Sequence, residues 1–194
     1  MEFEVPTWNQ IYTMLLSLAV NIDKSGFKPD LIVGVSRGGL IPARILADLL
    51  GNKNLASVGA EFYSGVSRTK SEPALTYPVF VSLDKQKVLV VDEVADTGKS
   101  LKLVREHLAQ RGAMEVRIAT LYLKPHSNIK PDYCIKETRN WIVFPWEIRE
   151  TVHNIVQQTR EKGKREDLIA QLIKSGVPAK LVKGFMKEAE EEKC

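Results

Sequence analysis

The sequence predicts an α/β fold: a doubly wound, mostly parallel sheet with a small helical extension at the C-terminus. Three observations predict it. Short apolar runs, Leu31–Val35, Leu55–Phe62, Val88–Val91 and Val116–Leu123, alternate with amphipathic helical stretches, the pattern of a parallel sheet wrapped by helices. Val88–Val91 is β-branched and apolar without alternation, as a strand buried on both faces is. From Glu150 onward the pattern is helical throughout. The expected division is a domain over 1–149, made of an N-terminal helix and a core over about 31–147, and a helical extension over 150–194.

The elements follow in order. Thr7 is a plausible N-cap for a helix carrying Trp8, Ile11, Tyr12, Leu15, Leu16, Ala19 and Ile22 on a broad apolar face. Gly26 ends it and Pro29 forbids its return. Leu31–Val35 is a strand, and Pro42 sits in the first turn of a helix that runs to Leu50. Leu55–Phe62 is the second strand of the core. Tyr63–Tyr77 is polar with little periodicity and is expected to be a long loop. Val79–Leu83 is expected to be a short strand. Val88–Val91 is a strand, Leu101–Arg111 a helix stopped by Gly112, and Val116–Leu123 a strand. Tyr133–Ile135 and Trp141–Phe144 are expected to be extended. In the tail Val152, Ile155 and Val156 mark one helix and Leu168, Leu172 and Ile173 another. Gly176 stops the second, and Pro178 opens a last helix with Leu181, Val182, Phe185 and Met186.

Composition bounds the function classes. The chain has 194 residues, 44% hydrophobic and 27% charged, as a soluble domain with a sizeable core has. A formal charge of +4 suits an anionic substrate as well as a nucleic acid and does not choose between them. Acids intersperse the basic patch Lys162, Lys164 and Arg165, which reads as a solvated face and gives little reason to expect a nucleic-acid partner. Cys134 and Cys194 are too few and too unpatterned for a disulfide scaffold or a zinc site. The polar start MEFEVPTWNQ is unlike a signal peptide, and Thr13–Ile22 is too short to span a membrane. A reducing, cytoplasmic location without membrane contact is expected.

The richest string is Val88–Ser100, VLVVDEVADTGKS. Asp92 and Glu93 fall at the carboxyl end of a strand, where open α/β sheets bind ligands. Carboxylates accept hydrogen bonds from sugar hydroxyls and ligate hard cations such as Mg²⁺. Asp96-Thr97-Gly98-Lys99-Ser100 leads into a helix whose N-terminus is an anion site. Together these parts suit a sugar phosphate. Asp96 also suits a helix N-cap. After the first core strand, Ser36-Arg37-Gly38-Gly39 offers exposed amides, a hydroxyl, a guanidinium and glycines that permit close approach of an anion.

These two strings resemble the signature loops of the type I phosphoribosyltransferase family. The match to the sugar-phosphate loop runs without a gap from Val88 to Ser100. Glu93 stands where Asp is frequent and Ser100 where Thr is frequent, and both keep the chemistry. The resemblance implies that Asp92 and Glu93 hold the ribose hydroxyls of 5-phosphoribosyl-1-pyrophosphate (PRPP) and Mg²⁺, directly or through water. It implies that Val94, Ala95, Asp96, Thr97, Gly98, Lys99 and Ser100 cradle the 5′-phosphate, with Asp96 the general base. Ser36, Arg37, Gly38 and Gly39 become the pyrophosphate loop, with a non-proline cis peptide between Ser36 and Arg37. Tyr63–Tyr77 becomes a closing loop whose Arg68 and Lys70 neutralise pyrophosphate. Lys124, at the end of the strand Val116–Leu123, and Trp141 with Ile142 match the purine-binding places of the family's purine branch, the xanthine–guanine and hypoxanthine enzymes. A lysine there donates to the oxygen at purine C6 and favours a 6-oxopurine over adenine.

The resemblance thus implies a Mg²⁺-dependent transfer of phosphoribosyl from PRPP to hypoxanthine, guanine or xanthine, in purine salvage. A homo-oligomer, dimer or tetramer, is expected, and the tail helices could serve it or clasp the core. The other readings are a PRPP- or purine-sensing regulator on the same fold, and a phosphoribosyltransferase for adenine, uracil or orotate.

Overall fold

A reciprocal pair of hydrogen bonds starts the first long helix. Gln10 N–H donates to Thr7 Oγ1 at 3.2 Å, and Thr7 N–H donates back to Gln10 Oε1 at 2.7 Å. This capping box opens α1 (Trp8–Lys24), whose Ile11, Leu15, Leu18, Ala19 and Ile22 are buried. The computed structural model describes residues 2–65, 68–159 and 161–192. The chain divides into two compact units, one of Met1–Ile11 and Arg139–Cys194, the other of Tyr12–Thr138.

The larger unit holds a six-stranded sheet. Its strands are β2 (Leu31–Ser36), β3 (Leu55–Gly65), β4 (Arg68–Tyr77), β5 (Lys87–Ala95), β6 (Glu115–Leu123) and β7 (Tyr133–Glu137), in spatial order β4-β3-β2-β5-β6-β7. All pairs are parallel except β3–β4. The chain winds from β2 outward to β4, returns to the other side of β2 at β5, and winds on to β7. Helices α2 (Leu40–Leu49) and α3 (Lys99–Gln110) cover opposite faces. Leu101, Val104 and Leu108 of α3 pack in one cluster with Leu31, Val33, Val88 and Val90. Ala43 of α2 meets the alternate face at Gly34, where a Cβ would stand 3.0 Å from Ala43 Cβ. Val88, Leu89, Val90 and Val91 are fully buried, so both faces of β5 are covered, as their apolar run predicts. Each such side chain contributes about 1.5–3 kcal/mol of burial.

Two expectations need correction in this unit. Residues 63–65 and 68–77 are strand rather than loop: the first close β3, and the second form β4, which pairs antiparallel with β3. Leu75, Thr76 and Tyr77 are good strand formers, and Pro73 is tolerated because β4 is the sheet's edge. The side chains of Arg68 and Lys70 lie outside the described ones. Val79–Leu83 is irregular rather than a strand, although Val79 and Leu83 are each 1% exposed and anchor the segment in the core.

A side-chain lock closes the edge at β7. Arg117 donates to Glu115 Oε1 and to Tyr133 Oη, each at 2.7 Å, and its guanidinium lies 4.4 Å over the Phe27 ring. The bonds to Tyr133 and Glu115 hold the Arg117 pKa above its ordinary value. Ser25 Oγ donates to Ile22 C=O, which leaves Tyr133 O–H to donate to Ser25 Oγ at 2.6 Å.

The smaller unit pairs β1 (Phe3–Glu4) in parallel with β8 (Trp141–Ile142), shorter than the expected extended run to Phe144. It adds α4 (Ile148–Gln158), α5 (Lys162–Lys174) and α6 (Ala179–Glu191). Val152, Val156, Ile169, Leu172, Val177, Val182 and Ala189 bury a core of their own with Val143. Phe3, Val5, Phe185 and Met186 pack against it, so the apolar pair on α6 finds its cover within this unit. Phe144 stacks on Trp146 at 4.9 Å, and Trp8 meets Trp146 at 5.5 Å. Among the described residues no helix is long and apolar enough to cross a membrane.

His107 on α3 supplies a pH test of the larger unit. Burial, then the nearby Arg111 charge, lowers its pKa below the ordinary 6.5. Its Nε2 is buried without a hydrogen-bond partner among the described residues. A histidine lowered in the folded state holds its stability above the unfolded pKa and loses it as pH falls through the folded pKa. Denaturant unfolding of wild type and His107→Gln between pH 7.5 and pH 5 should show wild type losing stability relative to the variant below about pH 6.5. A constant difference across that range contradicts it.

Candidate functional site

The site is built at the point where the sheet's winding reverses. β2 and β5 are neighbours, in register from Leu31↔Val88 to Gly34↔Val91. Their carboxyl ends therefore open side by side, the place where such sheets bind ligands. β2 delivers Ser36-Arg37-Gly38-Gly39, and the peptide between Ser36 and Arg37 is cis, as the resemblance implies. β5 delivers Asp92 and Glu93 within its own last residues, then Asp96–Ser100.

Glycine is required where these loops touch. A Cβ on Gly39 would lie 2.5 Å from Val91 C=O oxygen and 2.7 Å from that of Val35, inside any real contact. The loop backbone thus rests directly on the ends of β5 and β2. A Cβ on Gly38 would overlap the Glu93 carboxylate. Glu93 Oε2 is buried with no hydrogen-bond partner among the described residues, while Glu93 N–H donates to Asp92 Oδ1 at 3.0 Å. The Glu93 carboxylate therefore lies against the glycine loop, with one oxygen in need of a cation or donor.

Gly98 has φ 77 and serves as the N-cap of α3 without any side-chain cap. Its left-handed backbone is one reason for glycine. Crowding is the other, since a Cβ would lie 2.6 Å from Ile129 Cγ2 and 2.7 Å from Ser127 Oγ. Asp96 does not cap this helix, contrary to the second role its type suggests. The chain turns at Gly98 instead, and Asp96 Oδ1 stands 2.9 Å from His126 Nε2. Thr97 Oγ1 accepts a long bond of 3.4 Å from Lys99 N–H. The first-turn amides of α3 have no intrahelical partners, and that of Lys99 turns to Thr97 Oγ1.

The turn after β6 belongs to the same constellation. Lys124 is buried, at 9% exposure, and its N–H donates to Ala95 C=O at 2.9 Å. Asn128 N–H donates to Thr97 C=O at 2.9 Å. One unit thus brings together Ser36–Gly39, Asp92–Ser100 and Lys124. Trp141 and Ile142 belong to the other unit. There Ile142 is buried, whereas Trp141 is half exposed and lines a cavity of about 270 Å³ with Phe3, Asn154, Ile155 and Gln158. The sequence reading misses His126. Its only signal is local: it follows Lys124-Pro125 in a turn-forming stretch, His126-Ser127-Asn128.

Three comparisons bear on this geometry. The sequence pattern of the phosphoribosyl transferase domain family matches residues 5–152. A xanthine-guanine phosphoribosyltransferase of Gluconobacter oxydans is 32% identical over 143 residues, 73% of this chain and 82% of that protein. Among solved structures, a purine phosphoribosyltransferase from Pyrococcus horikoshii superposes with TM-score 0.69 at 40% identity, covering 75% of this chain and 94% of the other. The Helicobacter pylori xanthine-guanine-hypoxanthine enzyme shares the fold at TM-score 0.68 and 23% identity, over 77% and 97%.

The crowding at Gly39 predicts its own test. Gly39→Ala must push the loop off β5, at a cost of about 1–3 kcal/mol in urea unfolding. Unchanged stability would mean that the loop backbone does not rest on those carbonyls.

Proposed function

This chain belongs to the phosphoribosyltransferase family, in its purine branch, and on that premise we propose that it transfers the 5-phosphoribosyl group of PRPP to hypoxanthine, guanine or xanthine. The products are the nucleoside 5′-monophosphate and pyrophosphate. One observation carries the reading: Gly38 of the loop Ser36–Gly39 lies directly against the Glu93 carboxylate, beside Asp92 in sequence, where β2 and β5 pair in parallel. A pyrophosphate and a ribose on one molecule need those two surfaces side by side.

Departure of pyrophosphate from the anomeric carbon builds oxocarbenium character, as in glycoside chemistry. The chain's part is to align the reactants, neutralise the leaving group and take a proton. Asp92 and Glu93 accept from the ribose hydroxyls, and the loop Val94–Ser100 receives the 5′-phosphate. Ser36–Gly39 receives pyrophosphate through backbone amides and Arg37, with Arg68 and Lys70 adding positive charge. Lys124 donates to the oxygen at purine C6, and Trp141 and Ile142 take the stacking and edge-reading roles of the family. Asp96 accepts the proton of purine N7.

Mg²⁺ fits the donor set. The acid pair offers hard oxygens, and the buried, unpartnered Glu93 Oε2 suits a cation. No group of three or more acids, histidines or cysteines gathers here among the described residues, so the remaining ligands of a Mg²⁺ ion would come from substrate. When bound, the ion would supply neutralisation of the pyrophosphate charge. A cytoplasmic location and a homo-oligomeric state complete the proposal.

Pyrophosphate release from PRPP and Mg²⁺ with a panel of nucleobases tests the reading. Hypoxanthine, guanine or xanthine should be the best substrate. Lys124→Ala should cut kcat/KM for it by roughly 10- to 100-fold without lowering turnover of adenine. No pyrophosphate with any base favours the regulator reading, and adenine, uracil or orotate as best substrate overturns the 6-oxopurine assignment. Asp96→Asn should lower kcat by about 10²- to 10⁴-fold while the thermal midpoint stays near that of wild type. Equal losses of turnover and stability would remove Asp96 from the role of base.

A further inference from the structure

His126 has no role in the reading above, yet it makes a direct contact with the carboxylate proposed as base. Its Nε2 stands 2.9 Å from Asp96 Oδ1. Backbone bonds prepare this contact. Lys124 N–H reaches Ala95 C=O and Asn128 N–H reaches Thr97 C=O, each at 2.9 Å. These two bonds bracket Asp96 on one segment and His126 on the other. Ser127 N–H closes the turn on Lys124 C=O at 3.0 Å, and Ser127 Oγ donates to Ile129 C=O at 3.0 Å. Gly98 leaves no space between the two segments, since any Cβ there would strike Ser127 and Ile129. The imidazole therefore swings from a frame that is already tied to the loop it serves.

An ionised carboxylate only accepts hydrogen bonds, so Nε2 carries the hydrogen and donates it. We propose that His126 is a positioning residue for the proton transfer: it holds Asp96 by Oδ1 and leaves Oδ2 directed at the purine. The inference rests on the reading of Asp96 as base. In that step the N7 proton moves to Asp96 Oδ2, and the N9 electron pair forms the bond to the anomeric carbon. The bond from that carbon to the pyrophosphate oxygen breaks, and its electrons leave with pyrophosphate. Asp96 ends neutral, still held through Oδ1. Because the two side chains are 64% and 56% exposed, their pairing adds little to stability, and its loss registers in turnover.

The test is steady-state kinetics of the full chain with PRPP, Mg²⁺ and its best base, for His126→Ala, His126→Gln, Asp96→Asn and the double variant Asp96→Asn/His126→Ala. His126→Ala should lower kcat about tenfold, leave both KM values within about twofold, and leave the thermal midpoint unchanged. His126→Gln keeps a donor near the Nε2 position and should recover most of the turnover. In the Asp96→Asn background, His126→Ala should cost less than about twofold more, because the two residues act as one unit. Wild-type kcat in His126→Ala, a loss that adds fully to that of Asp96→Asn, or glutamine no better than alanine would each overturn the assignment. An active wild type with an unaffected His126→Ala removes only this inference. A wild type inactive with every base overturns the functional reading and this inference with it.

Discussion

The pairing of β2 with β5 is the constraint on which the site depends. The two strands are 57 positions apart in sequence at the register Leu31↔Val88. Their alignment puts the end of each strand beside the end of the other. It holds because β5 is buried on both faces and its apolar run has no polar side to turn outward. A slip of one residue would exchange every side chain between the two faces. With the register held, the glycine loop of β2 and the acid pair of β5 have one relative position.

From that position follow the close approaches. Gly39 rests on the carbonyls of Val91 and Val35, Gly38 leaves room for the Glu93 carboxylate, and Gly98 admits the 124–129 turn. Each contact replaces a side chain by backbone, and each brings a polar group nearer to a neighbouring loop than a Cβ would allow. The same crowding explains why Asp96 does not cap α3. The left-handed Gly98 turns the chain before the helix begins, and the Asp96 carboxylate is held by His126 instead.

The tail helices are a core in their own right. Their apolar faces pack on one another and on the segments around Phe3, Val5 and Val143. Phe185 and Met186, which by pattern alone ask for an outside partner, are met by this core. Arg149 ties α4 to α6 through Glu188 and Glu192 at 3.0 Å each, and His153 stands 3.3 Å from Glu192 beneath that pair. These ion pairs mark how closely the two helices are matched.

Much of this protein is legible in its sequence because the signals are local. Apolar runs mark β2, β5 and β6, glycines mark the helix stops, and the strings Ser36–Gly39 and Val88–Ser100 stand out by their glycines, hydroxyls and carboxylates. Pairing is not local. β4 reads as a loop because Pro73 and polar residues obscure its alternation, and only its pairing with β3 makes it a strand. The two-residue strand β1 has no period to read and exists through its bonds with β8. His126 is one of three histidines, and nothing near it in sequence names Asp96, 30 residues away, as its partner. By itself the sequence determined which strand ends carry carboxylates, hydroxyls and glycines, since residue type and spacing set what a strand end can offer. Tertiary structure alone decided which groups touch, because the contacts at Gly38, Gly39 and Gly98 and the Asp96–His126 bond arise between segments that only the packed sheet brings within reach.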